Sequence, residues 1–199
     1  MSHFNQVANS WDTEDKINLA KEYAQIIKDY LPKTAMRVLE IGCGTGVLGA
    51  NFVEEQNTLV GIDTSSGMLE VFNKKFENLT NVKSVLINLE NEQLSEAGFD
   101  LVISSMAFHH LKDPHVILKK ILELTDNNAY FAIIDLDKED GTFHPDPKNM
   151  GVFHFGFDEN DHANWIKGLP LKLIDRKIVH KIFKNEKDYP LVLTVFKRI

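Results

Sequence analysis

The order of apolar runs along the chain predicts an α/β fold: a doubly wound, mostly parallel sheet of seven strands ending in an antiparallel C-terminal hairpin. Three observations carry this. Val38-Leu39-Glu40-Ile41 is a short apolar run that breaks at Gly42, Gly44 and Gly46 and passes into the helix-competent run Val47 to Glu55, the pattern of strand, tight loop and helix start. Further strand-like runs follow at Leu59 to Ile62, Val82 to Ile87, Phe99 to Ser105 and Ala129 to Asp135, with segments of helical character between several of them. Finally, Leu173 to Lys184 and Leu191 to Lys197 are joined by Asn185-Glu186-Lys187-Asp188, which reads as a hairpin whose last strand runs against the others. With 199 residues the chain supports one well-buried core, so a single domain over residues 1–199 is expected.

Taken in order, Phe4, Val7, Ala8 and Trp11 have helical spacing, and Asp12-Thr13 cap a second helix with Ile17, Ala20, Ala24, Ile27 and Leu31 on one stripe, stopped by Pro32. Ser65-Ser66 cap a helix whose inward stripe is Met68, Leu69, Phe72 and Phe76. Asp113-Pro114 is a helix start, and Ile117, Leu118, Ile121 and Leu122 give that helix its core face. The stretch Asp137 to Phe157 has two prolines, three glycines, two histidines and no period, so it reads as a long ordered loop. Loops of that length in compact domains are usually functional or mobile. Asp158 caps a short helix through Lys167, ended by Gly168 and Pro170.

The glycine loop brings backbone close to a nucleotide-like ligand, and Asp63, 21 residues after Gly42 at the end of the second strand, is placed to bind a ribose diol. Gly44-Thr45-Gly46-Val47-Leu48-Gly49 also satisfies the dinucleotide pattern, so spacing leaves two ligand classes open. Charge separates them. Glu40, two residues before the first glycine, would repel a pyrophosphate and attract an ammonium or sulfonium. At about 6 Å and an effective dielectric of about 20, each such pair amounts to on the order of 3 kcal/mol before screening.

These residues resemble the class I S-adenosylmethionine-dependent methyltransferases, whose first motif is an acidic residue followed by G-x-G-x-G. The likeness runs over essentially the whole chain and implies a Rossmann-like sheet, S-adenosylmethionine as cofactor and methyl transfer to a small-molecule acceptor. It implies a cofactor site made of Glu40, Gly42, Cys43, Gly44, Gly46, Asp63, Thr64, Met68, Asn88, Leu89, Ser104 and Trp11. Asn88 stands where the family more often has aspartate; its amide oxygen still accepts a hydrogen bond from the adenine amino group, and Glu90 is the alternative acceptor. Phe99-Asp100-Leu101-Val102 matches the family's fourth-strand motif, and the His109-His110-Leu111 turn after it lies, by the same resemblance, beside the methyl-donor pocket. An N-terminal helical cap over residues 1–31 and a lid over residues 137–157 are expected to cover the acceptor, with Phe4 and Trp11 either in the lid or in the core.

His109, His110 and His154 are the candidates for a general base, if the acceptor arrives protonated. His109-His110 invite a metal reading with His115, Asp135, Asp137 and His144 as company, but neighbouring side chains on a strand or loop point apart and no i, i+3 or i, i+4 ligand pair occurs in the first cluster, so no metal is expected. Tyr23, Tyr30, Tyr130 and Tyr189 lack the lysine four residues on that a short-chain dehydrogenase requires, and neither a G-x-S-x-G nor a P-loop pattern is present. Two other readings of the fold are nicotinamide-dependent redox chemistry and cofactor binding without catalysis.

Composition narrows the partners. With 29 acidic against 22 basic residues, a net charge of -7 disfavours nucleic acid, whose only candidate contacts are short runs such as Lys119-Lys120, Arg176-Lys177 and Lys197-Arg198. No apolar run approaches the roughly 20 residues of a membrane span, and Met1 to Gln6 lack a signal-peptide core. Cys43, the one cysteine, can form no intrachain disulfide and fits a reducing compartment, so a cytoplasmic monomer or homodimer is expected; between two glycines it is a small packing residue before it is a nucleophile.

Overall fold

A computed structural model describes residues 3–32 and 36–199, with no account of the His3 side chain. Met1 and Ser2, part of the expected cap and of the N-terminal segment without a signal core, and residues 33–35 lie outside the described residues. One seven-stranded sheet runs in the order β3-β2-β1-β4-β5-β7-β6. Its strands are β1 (Arg37–Ile41), β2 (Thr58–Asp63), β3 (Val82–Leu86), β4 (Phe99–Ser105), β5 (Thr125–Leu136), β6 (Leu171–Lys184) and β7 (Lys187–Arg198). The first five are mutually parallel; β7 inserts antiparallel between β5 and β6. Asn185 and Glu186, both at positive φ, make the two-residue turn between β6 and β7 that matches the right-handed twist of paired strands.

The helices are α1 (His3–Val7), α2 (Glu14–Lys28), α3 (Ser66–Lys75), α4 (Pro114–Leu122) and α5 (Glu159–Trp165). Thr13, Ser65, Asp113 and Asp158 each accept a backbone amide at a helix start, and Asp158 and Asp161 close a reciprocal capping box. Two apolar layers form on opposite faces of the sheet. One gathers Tyr23, Ile27, Val38, Phe72, Leu101 and Ile103, joining α2 and α3; the other gathers Leu39, Ile62, Val102, Leu118, Phe157 and Trp165, joining α4 and α5. The alternation along β1 and β4 is what sends successive side chains to opposite layers. Phe72 is wholly buried, and its truncation to alanine carries the usual cost of about 3–5 kcal/mol.

Among the regular elements, the structure departs from the sequence expectations after the glycine loop and on α2. No regular α-helix follows the glycine loop. Turns lead into a short 3-10 segment, Gly49–Phe52, because Gly42, Gly44 and Gly46 all take positive φ and the Asn51 amide satisfies the carbonyls of Val47 and Leu48. On α2 the buried stripe is Ala20, Tyr23, Ala24 and Ile27, whereas Ile17 is exposed.

Candidate functional site

The glycine loop sits at the C-terminal edge of β1, and each glycine has a different reason to lack a side chain. A Cβ on Gly42 would lie 2.4 Å from the Ala107 Cβ, and one on Gly46 would lie 2.7 Å from the rings of Phe72 and Phe76. These two let the loop pack. Gly44 differs: its Cβ would meet nothing closer than the Met68 Sδ at 3.9 Å and the Trp11 Nε1 at 4.0 Å. At those distances a Cβ would make only ordinary van der Waals contact, so it is the positive φ of Gly44 and not packing that calls for glycine there, beside Met68 and Trp11.

The Asp63 carboxylate at the end of β2 accepts the Gly44 amide and the Ser65 amide, each at 2.8 Å, so the acid that ends one strand shapes the loop that ends the next. Burial raises its pKa, against the pull of the Ser65, Gly44 and Thr64 amides. Each carboxylate oxygen keeps a lone pair for a ligand hydroxyl.

Glu40 is not at the mouth of the loop as the sequence suggested. It is 3% exposed beneath it, with Oε1 accepting the Gly49 amide at 3.2 Å and Oε2 without a hydrogen-bond partner among the described residues. Burial lifts its pKa to about 8, the Gly49 amide and Lys75 only partly offsetting this. The carboxyl is thus largely neutral at pH 7, and the attraction assigned to it from sequence is not preformed. Cys43 is buried, and burial, with Glu40 and Asp63 nearby, pushes its thiol well up, which removes it as a nucleophile.

The N-terminal segment is fastened over this loop. The Lys75 ammonium bridges the Asp12 carboxylate at 2.7 Å and the Thr45 carbonyl at 2.6 Å, and the Thr45 hydroxyl donates to Asp12. Asp12, expected as part of a helix cap, does this instead, while Thr13 alone caps. The Asn5 side chain accepts the Ser65 hydroxyl and the Gly67 amide, docking α1 on the start of α3. Trp11 lies edge-on to Phe4 with the Lys16 ammonium 3.4 Å from its ring centre, and its Nε1 would be 4.0 Å from a Cβ on Gly44.

Three expected contacts are otherwise engaged. The Ser104 hydroxyl is 0% exposed and donates to the Ile41 carbonyl at 2.8 Å, so it ties β4 to β1 and does not line the site. The Asn88 side-chain oxygen accepts the Glu90 amide at 2.9 Å, and Glu90 accepts the Lys112 amide at 2.7 Å. Leu89 is buried between them. Thr64 follows Asp63 at the turn into α3, with no side-chain contact that assigns it a role.

The turn after β4 gathers histidines. Met106 takes φ 56, an uncommon conformation for a residue with a side chain, which seats Ala107 on Gly42 and turns the 3-10 segment Phe108–His110 inward. His109 is 1% exposed; its Nδ1 is 2.7 Å from the Asp135 carboxylate, and its amide donates to the same group at 3.2 Å. Burial would raise Asp135, but the charge and hydrogen bond of His109 hold it below the usual carboxylate range. The His110 Nδ1 donates to the Gly151 carbonyl at 3.0 Å, and its ring meets Phe4 edge-on.

The long loop returns to this turn. Its Phe153 and His154 amides donate to the His109 carbonyl, and the Glu139 carboxylate gathers the amides of Gly141, Thr142 and Phe143. His144 is thereby buried beside the pair: ring centroids are 4.1 Å apart for His109 and His110 and 4.9 Å apart for His109 and His144. The expectation that adjacent histidines point apart does not hold, because they occupy a 3-10 turn and not a strand. Burial, then the neighbouring His109, pushes His110 and His144 down to about 4. His154 lies elsewhere, against Phe157 and in a cleft of about 280 Å³ with Lys112, His115 and Trp165. Of the loop aromatics, Phe157 is core, Phe143 packs on Tyr189, and Phe153 and Phe155 are exposed. Sequence reading named Asp135 and His144 among the possible company of the histidine pair and set the grouping aside; of that company the structure brings these two to His109, through a turn whose positive φ at Met106 leaves no sequence signal.

Comparison with known proteins agrees with this geometry. A family model described as a methyltransferase domain matches residues 39–131, from β1 through the first half of β5. An uncharacterised methyltransferase of Schizosaccharomyces pombe is 32% identical over 144 residues, covering 65% of this chain. The chain spans about half of that relative's length, 51%. Among solved structures, an S-adenosylmethionine-dependent methyltransferase from Aquifex aeolicus superposes with a TM-score of 0.73 at 19% identity, covering 96% of this chain and 97% of the other. The [4+2]-cyclase SpnF superposes with a TM-score of 0.71 at 10% identity, covering 89% and 80%.

Proposed function

We propose that the chain is a class I S-adenosylmethionine-dependent methyltransferase, a reading its match to a methyltransferase domain supports, and that it moves the methyl group of S-adenosylmethionine to a small-molecule acceptor held between the glycine loop and the His109-His110 turn. The observation that carries this is Gly44. It is the one glycine of the three that close packing does not require, and it lies beside Met68, Trp11 and the Asp63 carboxylate that accepts its amide.

When bound, the cofactor supplies a methyl group on a sulfonium, already a good leaving group. The residues then have to place the acceptor in line, an effect that contributes up to about 7–11 kcal/mol. In this reading Gly44 admits the ligand to the backbone, Asp63 accepts the ribose hydroxyls, and Asn88 and Leu89 border the adenine. Gly42 and Gly46 hold the loop's shape. Glu40 supports the loop from beneath, its Oε1 accepting the Gly49 amide. Trp11 and Phe4, with the loop from Asp137 to Phe157, exclude water over the acceptor. The -7 net charge supports a small molecule over nucleic acid, and Cys43 supports a reducing, cytoplasmic setting.

The SpnF likeness favours a second reading, since the same fold at low identity serves a protein described as a cyclase. The fold supports the cofactor; the acceptor chemistry rests on the turn after β4. Calorimetric titration with S-adenosylhomocysteine and with NAD tests the donor half: saturable 1:1 binding of the former alone is expected, and NAD binding in its place would refute it.

A further inference from the structure

The geometry points to a transition-metal site of the zinc class formed by His109, His110 and His144, on the acceptor side of the turn after β4. One ring nitrogen from each of the three lies within 4.8 Å of the others. Tetrahedral zinc needs ligand nitrogens at about 2.0–2.1 Å, hence about 3.4 Å from one another. The cluster therefore has to contract by about 1.4 Å at its widest.

Hydrogen bonding has already sorted the nitrogens. The Gly151 carbonyl can only accept, so the His110 Nδ1 carries the proton, and the Asp135 carboxylate fixes the His109 Nδ1–H in the same way. When each ring is neutral it keeps an Nε2 lone pair, so metal binding at His109 displaces the proton of the form that pairs as a cation with Asp135. The two Nδ1 hydrogen bonds are the carboxylate-histidine and carbonyl-histidine support that metal-ligating imidazoles need. His144 gives the independent sign of a ligand: it is 8% exposed, yet its Nδ1 has no hydrogen-bond partner among the described residues. A buried imidazole nitrogen without a partner is costly unless something else occupies its lone pair.

Three neutral imidazoles with no carboxylate among them suit zinc, iron, nickel or copper and not magnesium or calcium. Three protein ligands leave a fourth position open, the pattern of a reactive metal and not a structural one. The site stands on these histidines alone; its chemical role rests on the methyl-transfer reading. In that role an acceptor hydroxyl or thiol takes the fourth position and loses its proton to solvent water. Its freed electron pair then bonds the methyl carbon as the carbon-sulfur pair returns to sulfur.

The test uses the full-length chain, stripped with chelator and titrated with Co²⁺ alone as a visible-absorbing stand-in for zinc. One Co²⁺ per chain with the visible bands of a four-coordinate nitrogen-rich site is expected. His144→Ala should weaken it by at least about 100-fold and the positioning variant Asp135→Asn by about 10- to 100-fold, while His180→Ala leaves it unchanged. S-adenosylhomocysteine is titrated into the same samples. Folded wild-type protein that binds S-adenosylhomocysteine but no Co²⁺, or binds Co²⁺ equally well as His144→Ala and as His144→Gln, overturns the metal site. Stoichiometric Co²⁺ without S-adenosylhomocysteine binding upholds the site and refutes the methyl-donor reading instead.

Discussion

Replacing Asp63 by alanine removes two things at once, and the structure lets their sizes be separated. The carboxylate holds the Gly44 and Ser65 amides at 2.8 Å each. Hydrogen bonds to a charged group contribute about 1.5–3 kcal/mol, and burial that raises the Asp63 pKa places the pair toward the lower end. Because the Ser65 amide sits at the start of a well-capped helix, the loss falls mainly on the shape of the glycine loop. A further 1.5–3 kcal/mol is lost with the ribose hydroxyls, which is about 10- to 150-fold in affinity. Asp63→Ala should therefore unfold at a lower temperature while remaining folded at 25 °C, and bind S-adenosylhomocysteine at least about 10-fold more weakly by calorimetry. A folded variant within twofold of the parent affinity would refute the role of Asp63 in the site.

Three other outcomes follow from the same geometry. Gly44→Val should fold but not bind S-adenosylhomocysteine, since φ +53 disfavours a branched residue and its methyls would occupy space beside Met68 and Trp11; normal binding would make the loop purely structural. Glu40 has a folded pKa raised from 4.5 to about 8, so it binds more protons folded than unfolded and the stability it provides is lost as pH rises through that window. Glu40→Gln lacks this loss, so its melting temperature should gain on the parent between pH 6 and 9; parallel curves would mean Glu40 is ionised in the free protein. Hydrogen exchange should show amides between Asn5 and Trp11 gaining protection on adding S-adenosylhomocysteine, and those around Phe153 and Phe155 gaining it only with acceptor present. Identical exchange with and without ligand would show that neither segment is a cover.

The sheet was legible because its signals are local: apolar runs of strand length, Ser65, Asp113 and Asp158 before helices, and a polar turn between the last two strands. The glycines and Asp63 were legible for the same reason, since a strand end fixes its neighbours within a few residues. What could not be read was set by contacts across the fold. Glu40 shares a face of β1 with Val38 and is carried under the loop by strand alternation, so its proximity in sequence to Gly42 misled. Ser104 looked like a lining residue, but its parallel register with Ile41 spends its hydroxyl on β1. His144 and Asp135 reach His109 from 35 and 26 residues away, one on a loop without period, and no spacing rule reports that.

We propose that this chain transfers the methyl group of S-adenosylmethionine to a small molecule. The direct measurement is incubation of the purified protein with methyl-labelled S-adenosylmethionine and a panel of small-molecule acceptors bearing hydroxyl, thiol, amine or carboxylate groups, followed by separation of low-mass products from polymer. Enzyme-dependent label in a low-mass product, matched one for one by S-adenosylhomocysteine and abolished in Gly44→Val, is the predicted result. Label found instead in nucleic acid or protein when those are supplied, or tight S-adenosylmethionine binding with no label leaving the cofactor for any acceptor class, would contradict it.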